Sequence, residues 1–467
     1  MGAMQWARGL IDNQFRYYVR SDGTIYYRGE ELPQSARMLT ILALYYSYSE
    51  EKGQGAEFLL SHFDTAKAVA DWLTMRRSLN LHFPKDDARY GMISGDDEAD
   101  NYNRLYFHQK PSLHFFASTA EFYRSCVEMG EVWQTIGKAK GRADVAQHGA
   151  ELLALAPLLH HDLQASLNRS VNTTASPGDR CYPHRTEWNN ADAMGQMGAE
   201  YRSFPEMFFS GALTEQQTDD MYKSGQGMDS CPIKWWLSMG APAAGVAIFN
   251  HVPFGFPHGL LQHDMVERFL LYFFTMSAHG SSRGFWMTPE STSITVRTHN
   301  VWYSAAGPNN VPLCLRWMLV FEELETRTLW LGKAVPRDWL APGEAPLLIE
   351  NATTRYGRVS FSLTVGSSEE GLEASGSGGR GGGGYSVRAN VTLPSSFATS
   401  SPVGGLRVRI RTPIEHAGKL SSVTVGGKAW SSFDAGTETV DFSAVELTAE
   451  MIATGLPAIV ATFGAST

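Results

Sequence analysis

Hydrophobic positions along the first 325 residues recur at helical spacing. Trp6, Leu10, Ile11, Phe15 and Tyr18 form one such series. Met38, Leu39, Leu42, Ala43 and Tyr46 form a second, with Ser35 placed to cap it. A third runs from Ala56 to Leu79 through Leu59, Phe63, Ala66, Val69, Ala70 and Leu73. The same period predicts helices over 113–130, 145–167, 188–209 and 311–324, and a shorter one capped by Thr214. Pro205 is expected to kink the 188–209 helix or to start a turn of it. Segment 80–110 has no such period and reads as a long loop, a kind usually functional or mobile. No strand pattern of any length interrupts this region, so an all-α arrangement of hairpins is predicted.

One stretch stands out. Residues 262–279 contain neither Pro nor Gly and are predicted to form a single helix ending at Gly280. Its polar residues, Asp264, Glu267, Arg268, Thr275 and His279, fall on one stripe, expected to face another helix or an interior cleft. The loop beyond it holds Arg283, Phe285, Trp286 and Glu290. Rings to stack, a guanidinium to bind oxygens and a carboxylate to move a proton suit a flat, polar ligand. A buried Glu290–Arg283 pair is the plainer alternative.

Past about residue 345 the period changes to two. Residues 359–365, 385–393, 406–411, 422–425, 437–442 and 458–463 alternate and predict a small antiparallel β-sandwich. The glycine-rich run 375–384 reads as a hairpin loop between two of these strands.

Composition narrows the classes. The 467-residue chain is 43% hydrophobic and 19% charged, as expected of a folded protein with a substantial core. A formal charge of −9 and the lack of any basic run argue against a nucleic-acid partner. No apolar stretch is long enough to cross a bilayer, so no membrane partner is expected. No signal-peptide pattern follows Met1, so either the chain is intracellular or its signal lies outside this sequence. Cys126 and Cys314 fall in helical patterns as core thiols, while Cys181 and Cys231 lie in loop-like surroundings suited to a disulfide. Sequons at Asn168, Asn172, Asn351 and Asn390 exceed the roughly two or three that chance supplies, and lean towards a secreted glycoprotein.

Carboxylates supply the candidate chemistry. Asp96, Asp97, Glu98 and Asp100 crowd into five residues, so mutual repulsion should raise at least one pKa, as a proton donor requires. A solvated acidic loop is one alternative, and a calcium ion held by Asp96, Asp97 and Asp100 is another. Glu187 sits at a predicted helix start, where the helix dipole favours its ionised form. Glu206, four residues after Arg202, reads as half of a structural ion pair. The histidines show no zinc-ligand spacing, so no metal site other than that calcium loop is predicted.

A helical-hairpin domain followed by a small β-sandwich resembles the six-hairpin glycosidase superfamily. The resemblance is strongest in residues 91–100, 202–207 and 283–290, and in 329–340, which looks like the exit from the helical barrel. It implies a mainly α chain, with an (α/α)6-type toroid over 1–340 and a β-sandwich over 345–467. It also implies a glycoside hydrolase with two carboxylates across a cleft, ~6.5–9.5 Å apart if inverting and ~5–5.5 Å if retaining. Glu290, Asp97, Glu98 and Glu187 are the catalytic candidates. Asp96, Asp100, His184, Trp188, Arg202, His279, Arg283 and Trp286 are the substrate-binding ones. A carbohydrate is the expected partner, and the oligomeric state stays open. A polysaccharide lyase acting on uronates and a non-catalytic carbohydrate-binding protein are the alternatives.

Overall fold

The computed structural model describes residues 2–25, 31–95, 113–171, 180–186, 200–226, 236–244, 247–250, 254–282, 287–293, 303–304, 307–366, 385–445 and 447–464. The chain divides into two compact units, residues 1–311 and 312–467. The first is mainly helical and the second mainly strand.

The first unit opens with α1 (Gly2–Tyr17), α2 (Leu32–Tyr48), α3 (Lys52–Ser61), α4 (Phe63–Ser78), α5 (Phe116–Lys140) and α6 (Ala143–Ser170). The stretch predicted as one helix over 56–79 is two. His62 leaves helical geometry at φ −108°, ψ 7°, and its ring is held between Phe15 and Phe58. Leu39, Leu42, Phe63, Val69, Phe122, Met129, Trp133 and Leu159 share one core. Each such side chain contributes about 1.5–3 kcal/mol by leaving water. α5 and α6 form an antiparallel hairpin around Gly141, which takes the left-handed conformation at φ 65°. The two helices approach closely because Gly137 has no side chain: a Cβ there would lie 2.4 Å from the Ala146 nitrogen.

The unit continues with α7 (Glu200–Ser210) and α8 (Glu215–Gly225). Here the all-α expectation fails. β1 (Trp236–Ser238), β2 (Ala241–Ala244), β3 (Ala247–Phe249) and β4 (Ser291–Ser293) form an antiparallel sheet in that order. Met239 and Gly240, at φ 52° and 80°, make the tight turn between β1 and β2. Such a turn needs positive φ at both central residues, usually met by Asn-Gly; methionine hides the signal.

Most of the predicted 262–279 helix is found as α10 (Val266–His279), which ends at Gly280 as expected, while Gln262 closes a separate helix, α9 (Gly255–Gln262). The chain reverses at Asp264, whose φ is 56°, a conformation short polar residues tolerate. The polar stripe of α10 meets another helix, as one of the two expectations had it: Arg268 pairs with Asp219 of α8 at 2.6 Å, and Asp264, Glu267 and Arg268 line an open pocket of about 720 Å³ there. Asp264, Glu267 and His279 are exposed, and only Thr275 is buried, donating to the Met239 carbonyl at 2.6 Å.

The second unit begins with most of α11 (Asn310–Leu319), shorter than the predicted 311–324 helix because 320–322 extends as a strand. Two sheets follow. The first contains β5 (Val320–Glu322), β6 (Leu329–Leu331), β10 (Leu406–Arg409), β13 (Phe433–Asp434) and β14 (Thr439–Asp441), in the order β13-β14-β10-β6-β5. The second contains β7 (Leu347–Thr354), β8 (Gly357–Val365), β9 (Tyr385–Thr392), β11 (Leu420–Val425), β12 (Lys428–Trp430) and β15 (Ile459–Phe463), in the order β12-β11-β15-β9-β8-β7. Leu331, Val408 and Val440 of one sheet join Phe361, Val387, Val423 and Ile459 of the other in a single core. The sandwich is not wholly antiparallel, because β6 pairs in parallel with β10. Residues 329–331, expected at the exit of the helical barrel, are thus a central strand here, and the strands begin before residue 345. β8 and β9, which flank the glycine-rich run, are antiparallel neighbours; the run itself lies outside the described residues.

Candidate active site

Three segments meet at the start of α5. Asn80, just past the end of α4, donates through Nδ2 to the Met92 carbonyl at 2.8 Å and to Ser94 Oγ at 3.0 Å. Its Oδ1 lies 3.1 Å from His114 Nε2. Arg76 Nε donates to the Ser94 carbonyl at 2.8 Å, and Ile93 N donates to Thr119 Oγ1 at 3.0 Å. Further back, Asp162 of α6 pairs with Arg77 and packs against Gly91, whose φ of 69° leaves no room for a side chain. The strap 91–95 is therefore fixed to α4, α5 and α6.

At its end, Gly95 N donates to the Leu113 carbonyl at 2.8 Å. The carbonyl of the next residue, His114, accepts from Thr186 N at 3.1 Å, while Phe116 N donates to the His184 carbonyl at 3.1 Å. Phe115 and Arg185 form an antiparallel bridge. Gly95 and Thr186 are thus both bonded to the dipeptide 113–114. With strand-like spacings of roughly 5 Å on either side and a rise of about 3.3 Å between 113 and 114, they stand roughly 10 Å apart. Gly95 immediately precedes the acidic group 96–100, and Thr186 immediately precedes Glu187.

His184 belongs to this junction. Its ring stacks on Phe115 at 5.7 Å. Burial, then the nearby Arg185 charge, pushes its pKa down to about 3, so it is neutral near pH 7. A neutral imidazole can hydrogen-bond a hydroxyl but cannot pair with an anion through charge.

Below the junction, α5 carries a polar stripe that the sequence reading missed. Ser118, Glu121, Ser125 and Glu128 are all buried. Their spacing of three or four residues puts them on one helical face. Glu121 is ion-paired to Arg37 of α2, whose guanidinium also lies 3.7 Å from Glu206 of α7. Ser125 donates to the Ala36 carbonyl at 2.6 Å. Arg37 lies 4.6 Å from the Phe254 ring centre, and Arg124 3.7 Å from that of Phe209. Glu206 thus reaches α2 as well; its expected pair with Arg202 falls on a side chain outside the described residues. This seam locks α2, α5 and α7 together, and its polar spacing at 118, 121, 125 and 128 was the available signal.

Glu290 is half-buried beside β4. Its carbonyl accepts from Asn250 N at 2.9 Å. The Asn250 side chain donates to the Pro289 carbonyl at 3.0 Å and to Thr292 Oγ1 at 2.8 Å. Ser282 N donates to the Met287 carbonyl at 2.8 Å. His279 is exposed at the end of α10, so a substrate contact there is on an outer surface.

Asp96, Asp97, Glu98, Asp100, Glu187, Trp188, Arg283 and Trp286 lie outside the described residues, as does the Arg202 side chain. The calcium alternative at Asp96, Asp97 and Asp100 falls there too. Among the described residues no group of three or more His, Cys, Asp or Glu is arranged to hold a metal. No described helix is long and apolar enough to cross a membrane. Cys126 and Cys314 are buried free thiols and Cys181 is disulfide-bonded; Cys231 is outside the described residues.

No family model and no curated protein matches the chain. Among solved structures it is similar to a GH127 β-L-arabinofuranosidase from Geobacillus stearothermophilus T6, at 12% identity and a TM-score of 0.35. That alignment covers 98% of this chain and 75% of the other. A likeness this distant fixes neither a family nor a reaction.

Proposed function

We propose that the protein is a glycoside hydrolase that cleaves an oligo- or polysaccharide by paired-carboxylate acid–base chemistry. The helical unit is the catalytic one, an (α/α)6-type ring of hairpins, and the strand unit is accessory. A carboxyl of the 96–100 group, Asp97 or Glu98, acts as the acid. Glu187 is its ionised partner, and Glu290 is a third carboxylate at the cleft.

The supporting observation is the backbone junction at 113–114. The residues preceding the acidic group and preceding Glu187 are bonded to that same dipeptide. Segments leaving that base roughly 10 Å apart can bring carboxyls to either the ~5–5.5 Å or the ~6.5–9.5 Å separation that glycoside cleavage uses. The buried ring of His184 packs on Phe115 at the same place and helps fix that base.

The test is release of reducing ends from a panel of polysaccharides and aryl glycosides by wild type, Asp97→Asn, Glu98→Gln and Glu187→Gln. Glu187→Gln and one of the other two should lose at least about a hundredfold in turnover while still binding sugar. Full activity in all three variants overturns the reading. A rise in unsaturated-uronide absorbance, without hydrolysis, replaces it with a lyase.

A further inference from the structure

The strand unit carries a feature that the catalytic reading leaves unused. Two of its asparagines, Asn351 and Asn390, open Asn-x-Thr sequons, with Thr353 and Thr392. In β9 the residues alternate: Val387, Ala389 and Val391 enter the core, whereas Arg388, Asn390 and Thr392 are exposed. Asn390 lies opposite Ser362 of β8, which lies opposite the exposed Leu348 of β7. Thr392 lies opposite Ser360, whose Oγ accepts from Asn351 N at 2.9 Å. Asn351 is itself exposed, in the left-handed conformation at φ 54°, where the β7–β8 register shifts. Both sequons therefore share one outer sheet face, within roughly two strand spacings, about 10 Å.

We propose that Asn351 and Asn390 are N-glycosylation acceptors and that their glycans cover the outer face and open edge of the six-stranded sheet. In the transfer, Asn Nδ2 forms a bond to C1 of an oligosaccharide carried on a lipid diphosphate. The C1–O bond to the diphosphate breaks, the lipid diphosphate leaves, and the amide proton passes to a base of the transferase. An independent observation supports the compartment this requires: Cys181 is disulfide-bonded, and such bonds persist where the surroundings are oxidising. A physical need is also visible. β7 is an eight-residue edge strand, and Leu348 on it is 61% exposed. Exposed edges of that kind invite pairing with other chains unless covered. Asn168, in the third described sequon, is also exposed and stands on α6 of the helical unit.

The full chain is expressed behind a secretion leader in eukaryotic cells. Its glycans are removed by peptide N-glycosidase in heavy-oxygen water, and peptides are mapped by mass. Both Asn351 and Asn390 should appear as heavy-oxygen aspartate. Thr353→Ala and Thr392→Ala should each remove the mass of one glycan. Enzymatic deglycosylation should raise light scattering on concentration. If the chain is not exported, the same mapping is made on chain translated into microsomal vesicles, where transfer does not wait for folding. Either asparagine bare in the translocated chain overturns the two-acceptor assignment, and unchanged scattering overturns the covering role.

Discussion

Arg37→Met is the sharpest probe of the helical unit. Glu121 is completely buried and its described ion-pair partner is Arg37. Methionine keeps most of the volume and removes the charge. Glu121 must then stay ionised without its cation or take up a proton. A glutamate side chain in water ionises near about pH 4.3, so keeping one neutral at pH 7 costs about 3.7 kcal/mol. Removing one partner of a buried pair typically costs roughly 3–5 kcal/mol, and Glu206 loses the same cation. At pH 5 the same proton costs only about 1 kcal/mol. The loss should therefore shrink as the pH falls from 7 to 5, because a proton on an orphaned carboxylate then costs less. Hydrogen exchange of α5 peptides reads this within one unit of a two-unit chain, where a single global unfolding energy is ill-defined. Protection at pH 7 should drop by about two to three orders of magnitude, and adding Glu121→Leu should restore much of it. A loss under about 1 kcal/mol at pH 7, or one that does not change with pH, refutes the assignment of a buried charge pair at this seam.

Three further outcomes are expected. His184 titrates near 3 when folded and near 6.5 when unfolded. Its contribution to stability is complete above about pH 6.5 and is lost as pH falls towards 3, at up to about 1.4 kcal/mol per pH unit. His184→Gln should flatten that part of an acid-unfolding curve; an unchanged slope shows that other groups dominate. Gly137→Ala should lower the melting temperature despite alanine's better helix propensity, because backbone of Ala146 cannot yield to the new Cβ. The expected loss is about 1–3 kcal/mol, and a rise in melting temperature shows that the hairpin is looser than described. Asn250→Ala removes donors to the Pro289 carbonyl and to Thr292, which hold the Glu290 segment. About 2 kcal/mol of local stability should go, seen as faster exchange in peptides spanning 287–293; unchanged exchange there contradicts the anchoring role.

What the sequence could and could not reveal follows the physics of each element. Long periodic helices such as α5 and α6 were legible because burial and the 3.6 period agree over many turns. So were the alternating strands β8, β9 and β11, and the buried thiols Cys126 and Cys314. The breaks at His62 and at His263–Met265 were not, since one residue and three residues leave helical geometry inside apolar runs. The four-stranded sheet was hidden by strands of three or four residues and a Met239-Gly240 turn. The parallel β6–β10 pair joins residues about 75 positions apart, which no local pattern encodes. At the candidate site, residue types suggested carboxylate chemistry, but the closeness of Gly95 to Thr186 depends on backbone bonds through residues 113–114. The Arg37–Glu121–Glu206 seam was readable only in part: the spacing on α5 was there, the partners on α2 and α7 were not.

The most direct measurement is a crystal structure of Glu187→Gln holding an oligosaccharide that the wild type cleaves. The account predicts a carboxyl of Asp97 or Glu98 on one side of the glycosidic oxygen and the substituted amide at position 187 on the other, within ~5–9.5 Å of each other. Sugar bound elsewhere, with residues 96–100 and 187 on separate surfaces, contradicts it.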